Sequence, residues 1–241
     1  MVNQTRLCCM MGSSSSMATA LTNAIHHCNH RNAFGGALSE KPLMQNVLTD
    51  LALESEACLA LTMRVASSFN EGSRLGKDYM RLAVAVGKYI TTKRCPAFTY
   101  ECLECMGGNG YLEDFPLARY FRQSPLNAIW EGSGNVMVLD VFRTILKSPS
   151  CLQAVAADVT ACQHPKLNEE LKDVLQTIQK SSPQDAEVSG RMLVERVGVL
   201  LQAAALYHSG GDQTVFDRFV ASRVGGRRGV QFGTLEEEFS G

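Results

Sequence analysis

A single carboxylate, Glu131, stands between the apolar run Ala128-Ile129-Trp130 and the turn Gly132-Ser133-Gly134. Beside apolar side chains the ionised form of a carboxylate is disfavoured, which tunes it toward proton abstraction near neutral pH. A glutamate near a helix start also complements the helix dipole, and the residue types alone leave both readings open. Gly107-Gly108-Asn109-Gly110 follows a helical stretch rather than a strand, so it is not a dinucleotide fingerprint. It reads either as a helix C-cap or as a loop whose bare backbone approaches a ligand. His26 and His30 share a helical face, but no Asp or Glu lies nearby to complete or orient a ligand set. A polar helix end is the reading, and no metal is expected. Cys102-Leu103-Glu104-Cys105 has redox spacing without the preceding βαβ pattern, and is read as buried thiols.

The elements that must position these residues are helices. Ser13 to Phe34 contains no Gly or Pro, and Gly35-Gly36 closes the run as a helix stop would. Pro42 precedes a long run from Leu43 to Glu71 in which Val47, Leu51, Cys58, Leu61, Val65 and Phe69 share one helical face. Lys77 to Cys95 spaces Leu82, Val86 and Ile90 by four, and Pro96 is expected to open a further helix ending at Gly107-Gly108. Residues 107–134 are loop-rich. Helix resumes at Asn135 and carries Val138, Phe142 and Ile145 to Lys147. Ser148-Pro149-Ser150 marks a boundary, beyond which three helices are expected over about 166–180, 185–208 and 212–224. The expected class is all-α: a four- or five-helix bundle over residues 1–148 and a small helical domain over 149–241.

Composition narrows the function classes. The chain has 241 residues with 23 Lys+Arg against 24 Asp+Glu, a net of −1, so bulk charge points to neither nucleic acid nor an acidic tail. No apolar stretch reaches the roughly 18 residues of a membrane span, which predicts a soluble protein. Nine scattered cysteines, an odd number, argue for reduced thiols inside a cell. The first 39 residues lack Asp and Glu and include four consecutive serines, Ser13 to Ser16. Composition leaves them as an organellar transit peptide or as the first helix of the domain.

The motifs together resemble the acyl-CoA dehydrogenase family, in its C-terminal helical domain. The resemblance rests on Arg31-Asn32-Ala33-Phe34-Gly35, on Gly107-Gly108-Asn109-Gly110-Tyr111, and on Arg119-Tyr120-Phe121-Arg122 followed by Ile129-Trp130-Glu131-Gly132-Ser133. Order and spacing agree over about residues 1–148. Trp130 to Asn135, Glu104 and the helices after Pro149 are more similar to the AidB-like (alkylation-response) branch. The spacing of Arg6 and Arg31 matches the family's first bundle helix, which places residues 1–34 inside the domain and any targeting segment upstream.

The resemblance implies α,β-dehydrogenation of an acyl-CoA thioester, with a carboxylate as base and FAD as hydride acceptor. It makes Glu131 the base and Gly132 a backbone contact to the thioester, and sets Arg6 on the acyl-CoA side. Arg31 and Phe34 match residues that reach the FAD of a neighbouring subunit in a dimer or tetramer. Glu104, Gly107 and Gly108 match the segment at that FAD's adenosine end, while Ser133 and Asn135 match flavin contacts. Trp130, Ser133 and Asn135 stand where the family usually has Tyr, Thr and Gln, and Glu104 where most members have Gln. A carboxylate there is unhelpful to a pyrophosphate unless protonated or turned away.

The family's amino-terminal helical and middle β domains are missing, so the isolated chain is expected to bind FAD poorly and to be inactive. The competing expectations are a nucleic-acid-associated flavoprotein and a pure assembly domain. Residues 151–241 hold 9 Lys+Arg and 12 Asp+Glu, a net of −3, against +2 for residues 1–150, which disfavours nucleic acid. Arg218, Arg223, Arg227 and Arg228 form the one local basic cluster. Mitochondrial and cytoplasmic locations both stay open.

Overall fold

The computed structural model describes residues 1–181, 183–224 and 229–236. The described residues form ten α-helices and one minimal strand pair, in the all-α class expected. Helices α1 (Val2–His30), α2 (Pro42–Ser68) and α3 (Arg74–Cys105) pack together as the long members of a bundle. Short helices α4 (Gly108–Tyr111) and α5 (Pro116–Gln123) follow, and α6 (Gly134–Lys147) returns along α3. Then come α7 (Pro149–Thr160), α8 (Pro165–Lys180), α9 (Pro183–His208) and α10 (Gln213–Phe219), the last running into a π-helical turn over Val220–Val224.

The acid-poor start of the chain is α1. Its buried positions, Arg6, Cys9, Met10, Ser13, Ser14, Met17, Ala20, Leu21, Ala24 and Cys28, recur every three or four residues and make one inward stripe. The serines let α1 and α2 approach closely while staying satisfied, with the hydroxyls of Ser14 and Thr62 2.8 Å apart and Ser14 donating to the Cys58 carbonyl at 3.2 Å. One apolar cluster joins Met10, Leu61, Leu82, Val86 and Val138 to Val155, Leu167, Leu201 and Phe219. A second joins Met17, Leu21, Leu51 and Phe98 to Leu117 and Phe232.

Four boundaries differ from the sequence expectations. Pro96 opens no new helix and lies within a continuous α3. Proline lacks an amide proton and crowds the preceding turn. Here burial of Thr91, Thr92, Cys95, Phe98 and Thr99 on both sides holds the helix together. Pro149 is the first residue of α7, a helix the boundary reading omitted, because proline's fixed φ suits that position. The first helix ends at His30, and Asn32–Ala33 pairs with Gly36–Ala37 across a two-residue turn. Ser133, not Asn135, stands at the cap position of α6.

Residues 232–235 are fastened to the bundle. Asn46 and Leu235 exchange hydrogen bonds, Asn46 donating at 2.9 Å and accepting at 3.1 Å, and the Gly233 amide donates to Asp50 at 3.0 Å. Phe232 meets Phe98 edge-on, with ring centroids 5.9 Å apart. Below it, Arg223 pairs with Asp50 at 2.5 Å and Glu54 at 3.3 Å, and Arg94 holds Glu54 at 3.0 Å. Among the described residues, no helix is long and apolar enough to cross a membrane.

Candidate functional site

The loop between α5 and α6 has an inverted backbone. Glu131 has φ +58° and Gly132 φ +105°, both in the left-handed half that side chains resist. A Cβ on Gly132 would come within 2.5 Å of Met137 Cε, so this position must stay bare. With that turn, three consecutive carbonyls face the bundle. Lys88 Nζ on α3 donates to Trp130 O at 2.9 Å and Gly132 O at 2.5 Å, and Arg6 Nε on α1 reaches the intervening Glu131 O at 3.5 Å.

The carboxylate of Glu131 lies outside, where Thr5 Oγ1 donates to Oε2 at 2.7 Å. The residue is exposed, and Ile129 and Trp130 are themselves 64% and 51% exposed. Among the described residues, the apolar surroundings read from the sequence are therefore not closed over Glu131. Trp130 Nε1 donates to Asn127 Oδ1 at 3.0 Å, and Asn127 in turn donates to Ser13 Oγ at 3.2 Å, which seats the indole against α1.

Behind the loop lies an ion cluster. Arg6 Nη1 pairs with Asp140 Oδ2 at 2.6 Å, and Arg81 adds bonds at 3.1 and 2.9 Å to the same carboxylate. Burial pushes the Asp140 pKa up, but the hydrogen bonds and charges of Arg81 and Arg6 outweigh it and hold the group below its ordinary value. Lys88 is 1% exposed, and burial pushes its pKa down against the attraction of Cys9 and Glu131. Ser133 is exposed, whereas Asn135 is engaged, its Oδ1 accepting from Arg191 Nε at 2.8 Å.

The remaining sequence candidates gather at the opposite end of α1. Arg31 closes that helix, and Phe34 and Gly35 form the turn of the strand pair with φ +53° and +83°. Phe34 is 91% exposed at its tip. Cys28 Sγ lies 3.9 Å from the Cys105 carbonyl, which brings this end beside Glu104, Gly107 and Gly108. Gly107 has φ +57°, and a Cβ on Gly107 or Gly108 would meet nothing within 4 Å, so this backbone lies open. Gly110 is different: its Cβ would fall 2.1 Å from the Leu103 carbonyl. Glu104 is exposed beside Tyr100, whose hydroxyl pKa it raises. The structure thus sorts the candidates into two groups. Arg6, Glu131, Gly132, Ser133 and Asn135 lie at one end of α1, and Arg31, Phe34, Glu104, Gly107 and Gly108 at the other. The 25 residues from Arg6 to Arg31 span about 37 Å of helix.

Residues 1–146 match the family described as acyl-CoA dehydrogenase, C-terminal domain. The chain belongs to the acyl-CoA dehydrogenase family. It is 39% identical over 148 residues to the putative acyl-CoA dehydrogenase AidB of Escherichia coli, covering 61% of this chain and 27% of that protein. Caenorhabditis elegans ACDH-11, solved in complex with C11-CoA, superposes on 92% of this chain and 43% of its own with a TM-score of 0.81 at 22% identity. The acyl-CoA dehydrogenase of Bacillus anthracis, complexed with FAD, covers 93% of this chain and 43% of its own with a TM-score of 0.68 at 18% identity. The chain spans less than half the length of these relatives, and the two structures show the shared fold.

Thr5, Arg81, Lys88 and Asp140 escaped the sequence reading. Lys88 carried a signal, since it is the one charged residue between Arg81 and Lys93 in a run that includes Leu82, Val84, Val86 and Ile90. A lone cation in an acyl-CoA dehydrogenase helix that is otherwise buried needs a partner, and the partner is main chain. His26 and His30 stack with ring centroids 4.3 Å apart, and His30 Nδ1 contacts the His26 carbonyl at 2.7 Å. Cys102 and Cys105 are buried thiols whose pKa values are raised: for Cys102 burial is the main cause, while Cys105 is raised first by its contact with Cys28 and then by burial.

Proposed function

We propose that this chain is the base-bearing C-terminal part of a flavin-dependent acyl-CoA dehydrogenase, with residues 1–148 as the family bundle and 149–241 as a helical extension. The observation that supports it most is the loop at Glu131, which turns its carbonyls toward Lys88 and Arg6 and its carboxylate outward. In this reading Glu131 takes the α-proton of an acyl-CoA thioester as the α,β double bond forms. Thr5 orients the carboxylate through its 2.7 Å hydrogen bond. Gly132, kept bare by Met137, offers its backbone to the thioester, while Arg6 supports the acyl-CoA side from behind the loop.

The residues present fit FAD in two separate places. Open glycine backbone at Gly107 and Gly108 and the projecting ring of Phe34 suit one end of a dinucleotide, with Arg31 able to pair with its phosphates. Ser133 and Asn135 suit the flavin end. When bound, FAD supplies the acceptor for the β-hydrogen. About 37 Å of α1 separates the two groups, which favours their serving different cofactors in a homo-oligomer with FAD at a subunit interface. Glu104 stands in this site as an exposed carboxylate beside Tyr100, turned toward a hydroxyl rather than a phosphate.

The test is Glu131→Gln in a protein carrying this chain together with the amino-terminal and middle domains of its longer relatives. It should retain flavin and lose dehydrogenation by about 10²–10⁴-fold, the range for a positioned base. Unchanged turnover would remove Glu131 as the base.

A further inference from the structure

We infer that Lys88 is the positioning residue of the Glu131 loop, its buried ammonium holding the two carbonyls that flank the proposed base and so fixing the inverted backbone between them. The inference rests on the reading of Glu131 as base, but its physical content is separate. Lys88 is 1% exposed and sits in the middle of α3, surrounded by the main apolar cluster. A buried ammonium is costly unless hydrogen-bonded. Here both of its hydrogen bonds go to main chain, at 2.9 Å to Trp130 O and 2.5 Å to Gly132 O, rather than to a carboxylate.

The two bonds converge from one atom on residues i−1 and i+1 of Glu131. In extended backbone the carbonyls of alternate residues lie about 7 Å apart, too far to share one nitrogen, and here the turn through Glu131 at φ +58° and Gly132 at φ +105° brings them together on Lys88. A non-glycine residue is strained in such a conformation and keeps it only where the surroundings enforce it. Arg6 contributes at 3.5 Å to the Glu131 carbonyl, but its shorter bond is to Asp140, at 2.6 Å. The enforcing contact is therefore Lys88. A main-chain anchor leaves the Glu131 carboxylate outside the ammonium's hydrogen bonds, where it accepts from Thr5 instead.

The chain carries its own reporter, since Trp130 is its single tryptophan and supplies one of the two carbonyls. In Lys88→Met the side chain keeps its length and loses its donor. Amide exchange at Ile129 and Trp130, which donate to the Leu126 carbonyl, should then rise about tenfold or more as the loop loses its hydrogen bonds to a charged group. Acrylamide quenching of Trp130 should rise with it, and Lys88→Arg, which retains donors, should restore both in part. A role in packing alone predicts wild-type exchange and quenching in Lys88→Met, and that result overturns the inference. A further comparison isolates the backbone. Glu131→Gly removes the strain at this position, so Lys88→Met, which in wild type loses the hydrogen bonds but also relieves that strain, should lower Tm more in the Glu131→Gly background than in wild type. Equal losses in both backgrounds also overturn the inference.

If Lys88→Met does not fold, nuclear magnetic resonance of the wild-type chain decides. Slowly exchanging Lys88 ammonium protons with contacts to the Trp130–Gly132 backbone support the inference, and rapid exchange without them defeats it. None of these readouts involves turnover. Retained dehydrogenation in Glu131→Gln would remove the base and leave the loop result standing.

Discussion

Phe34 keeps a large aromatic ring in left-handed backbone at 91% exposure, which neither local sterics nor burial favours. It shares a two-residue turn with Gly35, both at positive φ, where Asn-Gly is the preferred pair. Phe34→Asn is therefore expected to stabilise the isolated chain by about 1 kcal/mol, raising Tm by roughly 2–4 °C for a domain of this size. Calorimetry of the two chains checks it, and a lower Tm would show that the ring packs on something within the chain. A higher Tm in Phe34→Asn would support the proposed reach of this ring into a neighbouring subunit. Its motif stood out in the sequence, whereas its geometry did not. Gly35-Gly36 reads as a helix stop, and strands of two residues leave no alternation to detect.

Helices α1, α3 and α6 meet at Asp140, which accepts from Arg6 on the first and Arg81 on the second. Because the folded pKa is depressed, the stabilisation is fully present above the ordinary value of 3.8 and is lost as pH falls below it through the folded value. Asp140→Asn removes that dependence. The stability gap between wild type and variant should be constant from neutral pH down to about 4 and then close on further acidification, read by urea unfolding at a series of pH values. Arg81 is 35% exposed at its side chain, so its bond is partly screened and the gap at neutral pH is set mainly by Arg6. A gap that widened in acid would show that the pairing is not what Asp140 contributes. Helix periodicity placed α2, α6, α8 and α9 close to their observed bounds, because each buries one stripe. It failed at Pro96 and Pro149, where the same residue can break, continue or begin a helix and only tertiary packing decides. Contacts such as Arg6 with Asp140, far apart in sequence, leave no trace in local spacing.

Charge over the entire chain bears on whether the helical extension binds nucleic acid, one of the competing expectations read from the sequence. Residues 151–241 carry a net of −3, and two of the arginines there are already held by carboxylates. Arg223 is held between Asp50 and Glu54, and Arg196 donates to Glu170 at 2.6 Å and Asp173 at 2.7 Å. Arg227 and Arg228, two more of the basic cluster seen in the sequence, lie outside the described residues. A cation already paired with a carboxylate gains little from a phosphate, so few counterions would be released on binding. The chain is therefore expected to bind duplex DNA no more tightly than about 1 µM at physiological salt, with a shallow dependence on salt. Fluorescence anisotropy with a labelled duplex at several salt concentrations measures both quantities. A nanomolar affinity with a steep salt slope would require a cationic surface that the paired arginines do not provide. It would also move the function of the extension from closing the bundle core to contacting a polyanion.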